Sequence, residues 1–141
     1  MMRGLDKGVC AMPKAKRLVI VDDDPAMGQY VRDVAEPLGY AVDVFIEGEG
    51  FRAAVGRDDP DLIILDLTMP GADGIELLRY LSKVQTKARI LIMSGFDSNI
   101  REMAFLLGKQ ANLAMFGILP KPVRTAELRL MLTEAMGEAG G

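Results

Sequence analysis

An α/β fold, with a parallel sheet doubly wound by helices on both faces, is predicted by three features of this sequence. Leu18 to Val21, Leu62 to Leu65 and Ile90 to Met93 are short, continuous apolar runs, the pattern of strands buried on both faces. Segments with apolar residues at helical spacing alternate with these runs. Each run also stops abruptly on a polar residue, as expected at the edge where a parallel sheet opens to ligands.

In chain order, Leu18 to Val21 is the first strand, ended by Asp22, Asp23 and Asp24. Asp24 and Pro25 read as N-cap and first position of a helix carrying Met27, Val31, Val34 and Leu38, with Gly39 as its stop. Ala41 to Ile46 is a second strand, and Gly48 to Gly56 is a short helix with Phe51, Ala54 and Val55 inward. The strand Leu62 to Leu65 runs onto Asp66, and the turn-rich segment Met69-Pro70-Gly71 and Asp73-Gly74 follows. A third helix carries Ile75, Leu78 and Leu81. The fourth strand ends on Ser94-Gly95, a fourth helix spans about Asn99 to Lys109, and a fifth strand spans Met115 to Leu119 before Lys121-Pro122. The last helix places Leu128, Met131, Leu132, Ala135 and Met136 on one stripe. Gly108 to Ala114 is the stretch where helix end and strand start are hardest to place.

A chain of 141 residues, half of them hydrophobic, has the composition of one globular domain that needs no disulfide or structural metal. Residues 1–16 read as a flexible N-terminal tail, too weakly apolar for a signal-peptide core, and residues 17–138 as the folded domain. A single cysteine, Cys10, forms no internal bridge, which favours a cytoplasmic location, and no apolar run has the length of a membrane span. A net charge of −3 supplies no basic footprint for nucleic acid. The absence of histidine excludes imidazole bases, His-ligated zinc and a phosphohistidine carrier, leaving carboxylates, hydroxyls and lysines for any chemistry.

These groups converge. In a parallel sheet the residues after the strands share one edge, so Asp22, Asp23, Asp66, Ser94 and Lys121 are expected together. Two carboxylates about 4 Å apart repel by roughly 4 kcal/mol at an effective dielectric of 20, so the acids must protonate, separate or hold a cation. Oxygen ligands with room for water or phosphate suit Mg²⁺. Metal and lysine together would let a carboxylate attack a phosphoryl group. Each residue alone has a plainer explanation: acids favour helix N-termini, as Asp24 does, and Asp66, Ser94 and Lys121 suit turns or solvent. Their coincidence at one edge favours a site.

Val21-Asp22-Asp23-Asp24-Pro25, Leu65 to Pro70 followed by Asp73-Gly74, Met93-Ser94-Gly95 and Lys121-Pro122 resemble the signature of response-regulator receiver domains, in that family's order. The resemblance runs from about residue 17 to 137. It implies a flavodoxin-like sheet of order 2-1-3-4-5, with Asp66 as phosphoacceptor. Asp23, Asp66 and the Thr68 carbonyl would ligate Mg²⁺, with Asp22 joining through a metal-bound water. Ser94 and Lys121 would contact phosphoryl oxygens, a cis Lys121-Pro122 peptide would aim the lysine, and Gly74 would relieve the turn into the third helix. The implied partners are a histidine kinase or histidine phosphotransfer protein and a downstream protein target, with no nucleic acid or membrane. Such a domain catalyses its own phosphorylation and dephosphorylation without being a conventional enzyme. It is either a single-domain regulator or part of a larger one.

Two departures from the family pattern bear on signalling. Ile118 stands where the family usually has an inward-turning aromatic, with Phe116 nearby, so a shift of the fourth helix is expected to carry the signal through the helix 4, strand 5 and helix 5 face. Phe96, which with Thr68 occupies positions thought to control hydrolytic water, implies slow autodephosphorylation. Met103, Leu106, Leu107, Leu113, Met115 and Phe116 exceed the apolar content that a helix and strand of this size need; most are expected in the core, the rest on a partner or homodimer face. Competing readings are an aspartate-nucleophile phosphatase, which usually has a second aspartate where Thr68 stands, a nucleotide or flavin binder, which lacks its glycine loop, and a degenerate receiver used only for docking.

Overall fold

The computed structural model describes residues 15–68, 74–95 and 98–137. Strands β1 (Lys16–Val21), β2 (Tyr40–Phe45), β3 (Leu62–Asp66), β4 (Arg89–Ser94) and β5 (Ala114–Pro120) alternate with helices α1 (Pro25–Ala35), α2 (Gly48–Arg57), α3 (Gly74–Lys83), α4 (Ser98–Gln110) and α5 (Thr125–Gly137). All neighbouring strands are parallel and the order is β2-β1-β3-β4-β5. The expected α/β architecture and strand order are therefore present.

Side-chain alternation explains why the central strands are continuously apolar. Leu18, Ile20, Leu62, Ile64, Leu91 and Met93 face a core closed by Val31 and Val34 of α1 and Leu128 and Leu132 of α5. Their neighbours Val19, Val21, Ile63, Leu65, Ile90 and Ile92 face a second core closed by Phe51 of α2, Leu77 and Leu81 of α3 and Ala104 of α4. Each such side chain contributes about 1.5–3 kcal/mol when fully buried. Polar substitution in β3, whose five residues are all buried, therefore threatens one core or the other according to its position.

Asp24 caps α1 as expected, accepting a hydrogen bond from the Ala26 amide at 3.0 Å, and Gly39 closes the following 3₁₀ turn at φ 108°. At α2 the cap is Glu47, whose carboxylate accepts from the amides of Glu49 and Gly50 at 3.1 and 2.7 Å. Glutamate is not a favoured capping type, so the sequence carries little signal for it. β1 starts at Lys16, a residue assigned from sequence to the tail, because Lys16 pairs with Tyr40; residues 1–14 lie outside the described residues. In the ambiguous 108–114 stretch, α4 runs on to Gln110 and Asn112 takes a left-handed φ of 65°. β5 then bulges: Ile90 pairs with Met115 and Leu91 with Gly117, so Phe116 is the extra residue. Leu113 is buried, and Met115 and Phe116 pack on the cores, but Met103, Leu106 and Leu107 are exposed on α4.

Gly28 sets how closely α1 approaches β2. A Cβ there would stand 2.3 Å from Val44 Cγ1. Gly28→Ala is expected to lower stability by about 1 kcal/mol or more, since the overlap outweighs alanine's better helix propensity. Adding Val44→Ala should recover part of the loss in urea titrations.

Tyr40 is buried and its hydroxyl donates to the Leu132 carbonyl at 2.7 Å, tying β2 to α5. Burial pushes its phenol up from 10.0 to about 12, with Arg89 opposing and Asp61 assisting. The native state thus holds this proton more tightly than the unfolded chain does. The contribution is fully present below pH 10 and lost as pH rises from 10 towards 12. Tyr40→Phe should cost about 1 kcal/mol near neutral pH and remove that part of the alkaline decline.

Candidate functional site

The ends of four strands build one pocket. Asp22 follows β1, Asp66 and Ser94 are the last residues of β3 and β4, and Lys121 follows β5. Backbone hydrogen bonds continue the ladders past the strand ends. The Asp22 amide donates to Phe45, that of Leu67 to Met93 and that of Lys121 to Ser94, at 2.9–3.0 Å. The polar residues therefore inherit the register of the apolar runs before them. With β1 and β3 adjacent in the order, Asp22 and Asp66 are brought together where the winding direction reverses.

Asp22, Asp66 and Ser94 are fully buried, and Asp23 is exposed at the rim. Lys121 Nζ donates to Asp22 Oδ2 at 3.0 Å and to Asp66 Oδ2 at 3.3 Å. Asp22 Oδ1 accepts from the Asp24 amide at 2.9 Å. On Asp66, Oδ1 accepts twice from one residue, from the Thr68 amide at 2.9 Å and its hydroxyl at 2.7 Å. This side-chain role of Thr68 was missed in the sequence, although an aspartate two residues before a threonine suits such a turn. The Lys121-Pro122 peptide is cis.

Burial raises the Asp22 carboxyl above its ordinary range; the Asp24 amide and Lys121 oppose this, while the charge of Asp66 adds to it. For Lys121, burial works against the ammonium, but the hydrogen bond to Asp22 and the charges of Asp66 and Asp22 outweigh it and hold the amine above its usual value. One carboxylate oxygen from each of Asp22, Asp23 and Asp66 lies within 4.8 Å of the others. Three acids facing one amine leave an excess of negative charge, and an all-oxygen donor set suits a hard divalent cation. The residues present therefore fit Mg²⁺.

Gly74 opens α3 against this pocket's wall. A Cβ there would meet Leu67 Cα at 2.9 Å, so close approach rather than a left-handed backbone accounts for the glycine. Met69, Pro70, Gly71, Asp73 and Phe96, and with Phe96 the expectation of slow autodephosphorylation, lie outside the described residues.

Residues 18–133 match the response regulator receiver domain family. The chain belongs to that family. This receiver is 33% identical over 112 residues to the response regulator MprA of Mycobacterium leprae, covering 79% of the chain and 47% of that protein. It thus spans about half the length of the curated relatives it matches. A response regulator from Colwellia psychrerythraea superposes with a TM-score of 0.74 at 31% identity, over 86% of this chain and 97% of that one. A CheY-like receiver domain protein from Methanospirillum hungatei gives 0.76 at 26% identity, over 89% and 97%. The receiver is accordingly a component of two-component signalling, of a family that is not one of conventional enzymes. Among the described residues no helix is long and apolar enough to cross a membrane.

Removing the amine tests the electrostatics. Lys121→Met should move the Asp22 carboxyl further above its ordinary range, read by carbon-13 NMR titration. Because an acid raised in the native state favours its protonated form, stability falls as pH climbs from 3.8 to the native value. That fall should be larger in the variant than in the parent protein.

Proposed function

We propose that Asp66 is the phosphoacceptor of a histidine-to-aspartate relay, taking its phosphoryl group from a histidine kinase or histidine phosphotransfer protein. The observation that carries this reading is a buried carboxylate, Asp66, sharing the Lys121 amine with a second buried acid. In the transfer, the phosphorus–nitrogen bond of the donor breaks as a phosphorus–oxygen bond forms to the Asp66 carboxylate. Lys121 then exchanges an aspartate oxygen for a phosphoryl oxygen, and the Ser94 hydroxyl takes another. Asp22, Asp23, Asp66 and the Thr68 carbonyl would hold Mg²⁺, Asp22 through water. When bound, that ion supplies the positive charge that lets an anionic nucleophile approach an anionic phosphoryl group. A phosphatase would need a general acid in place of Thr68, whose hydroxyl here is committed to Asp66 itself.

The change is proposed to pass through the α4, β5 and α5 face to a downstream protein. Ile118, paired with Ile92, offers no ring to turn inward, and Phe116 is held at the bulge with the Arg89 guanidinium 5.8 Å from its ring centre. Movement of α4 is therefore the proposed carrier of the signal, and the cytoplasm the proposed location.

Incubation with Mg²⁺ and acetyl phosphate should add one alkali-labile phosphoryl group on Asp66, read by mass spectrometry. Asp66→Asn and chelation of the metal should each abolish it, and a stable adduct elsewhere would refute the assignment. Ser94→Ala should still be phosphorylated but show smaller amide shifts on activation than the parent protein, and equal shifts would remove Ser94 from the switch.

A further inference from the structure

Tyr30 lies in the second turn of α1, half-buried, with its ring packed on the first core. Its hydroxyl reaches out of that core to the segment between β5 and α5. It stands 3.1 Å from the Val123 carbonyl and 2.7 Å from the Thr125 hydroxyl. A carbonyl only accepts, so the single phenol proton goes to Val123 and Thr125 donates in turn to the phenol oxygen. Packing on the core requires the ring alone, and the hydroxyl serves the loop.

That loop begins at Lys121. On its β5 side the backbone is held by the sheet, the Lys121 amide donating to the Ser94 carbonyl at 3.0 Å. On the other side Pro122 has no amide to donate, and Pro122, Arg124 and Thr125 are exposed. The Tyr30 hydroxyl supplies the hold there. An ammonium on a long, flexible stem is placed no better than the backbone that bears it. α1 is also fixed at the acids, because Asp22 Oδ1 accepts from the Asp24 amide and Asp24 caps the helix. Under two turns of one helix therefore separate the residue tied to Asp22 from the residue tied to the lysine loop.

We propose that Tyr30 positions the Lys121 ammonium: α1 is the rigid body that refers both Asp22 and the backbone beside Lys121 to one frame. The inference rests on Asp66 being the phosphoacceptor, since its consequence is a lysine held ready for the incoming phosphoryl oxygens. The Tyr30 hydroxyl is committed to the loop, so its effect reaches Asp66 through Lys121.

The test compares Tyr30→Phe with Tyr40→Phe, which loses the same kind of hydroxyl-to-carbonyl bond at the start of β2, the opposite edge of the sheet. With Mg²⁺ and saturating acetyl phosphate, Tyr30→Phe should label Asp66 about three- to tenfold more slowly than the parent protein, and Tyr40→Phe at the parental rate. Thr125→Ser should keep the parental rate, and Thr125→Val should be slower. In a Lys121→Met background, followed over longer incubation, Tyr30→Phe should add nothing further. Equal slowing by Tyr40→Phe, or slowing by Tyr30→Phe that persists undiminished without Lys121, would leave Tyr30 a structural residue only. A second measurement needs no phosphodonor. The two ε-methylene protons of Lys121 should give distinct NMR shifts while the amine is held between two carboxylates, and should converge in Tyr30→Phe but not in Tyr40→Phe. Unchanged shifts in Tyr30→Phe would overturn the positioning role even where Asp66 is labelled. A parent chain that takes no label, with shifts that still converge in the variant, would keep the positioning and sink the phosphoryl reading instead.

Discussion

The structure depends on keeping like charges together in a place that water cannot screen. Asp22 and Asp66 have no exposed surface and share one ammonium. Their separation is not adjustable, because each is fixed to the end of a strand that cannot slide without turning its side chains to the opposite face. The lysine compensates only part of the charge, and it reaches the acids from the far side of β4. A counter-charge carried at the end of β5, two strands from β3 and three from β1, makes the pocket sensitive to the packing of the whole sheet edge.

Energetically, the two cores supply the rigidity that this arrangement requires. Isolated, a buried acid would prefer protonation or solvent, and only a scaffold with ample apolar burial withstands the cost. The central strands contribute to both cores through successive residues, so the stability of each face is linked to the placement of the acids at the strand ends. Among the described residues every buried side-chain polar atom has a hydrogen-bond partner. Strain in the pocket is therefore of charge and not of missing hydrogen bonds.

Much of this was legible in the sequence because the signals were redundant. A continuous apolar run followed at once by a polar residue identifies both a strand and its exit, and Asp22, Asp66 and Ser94 occur in that setting, whereas Lys121 follows a run broken by Gly117 and ended by Pro120. Asp24-Pro25 was equally plain, since residue type and position agree on a helix start. Glu47 and the Thr68 hydroxyl were not legible, because each acts through local geometry that many sequences share without using it. The 108–114 stretch failed for a different reason: α4 lacks a glycine stop and β5 is bulged at Phe116, so neither helical nor alternating periodicity marks the boundary. The apolar content of that region was visible, but its division between core and surface depended on the rotation of α4, which periodicity alone did not settle.

The grip of Thr68 on Asp66 has a consequence for how the two oxygens of that carboxylate differ. Two donors from a single residue hold the side chain through Oδ1, so a rotation that exchanges its oxygens has to break both bonds. Only Oδ2 retains an uncommitted lone pair beside the amine. On the proposed reading, an electrophile entering from the edge of the sheet would meet a carboxylate with one chemically distinct atom, whose rotational entropy was surrendered when the chain folded rather than at the moment of encounter.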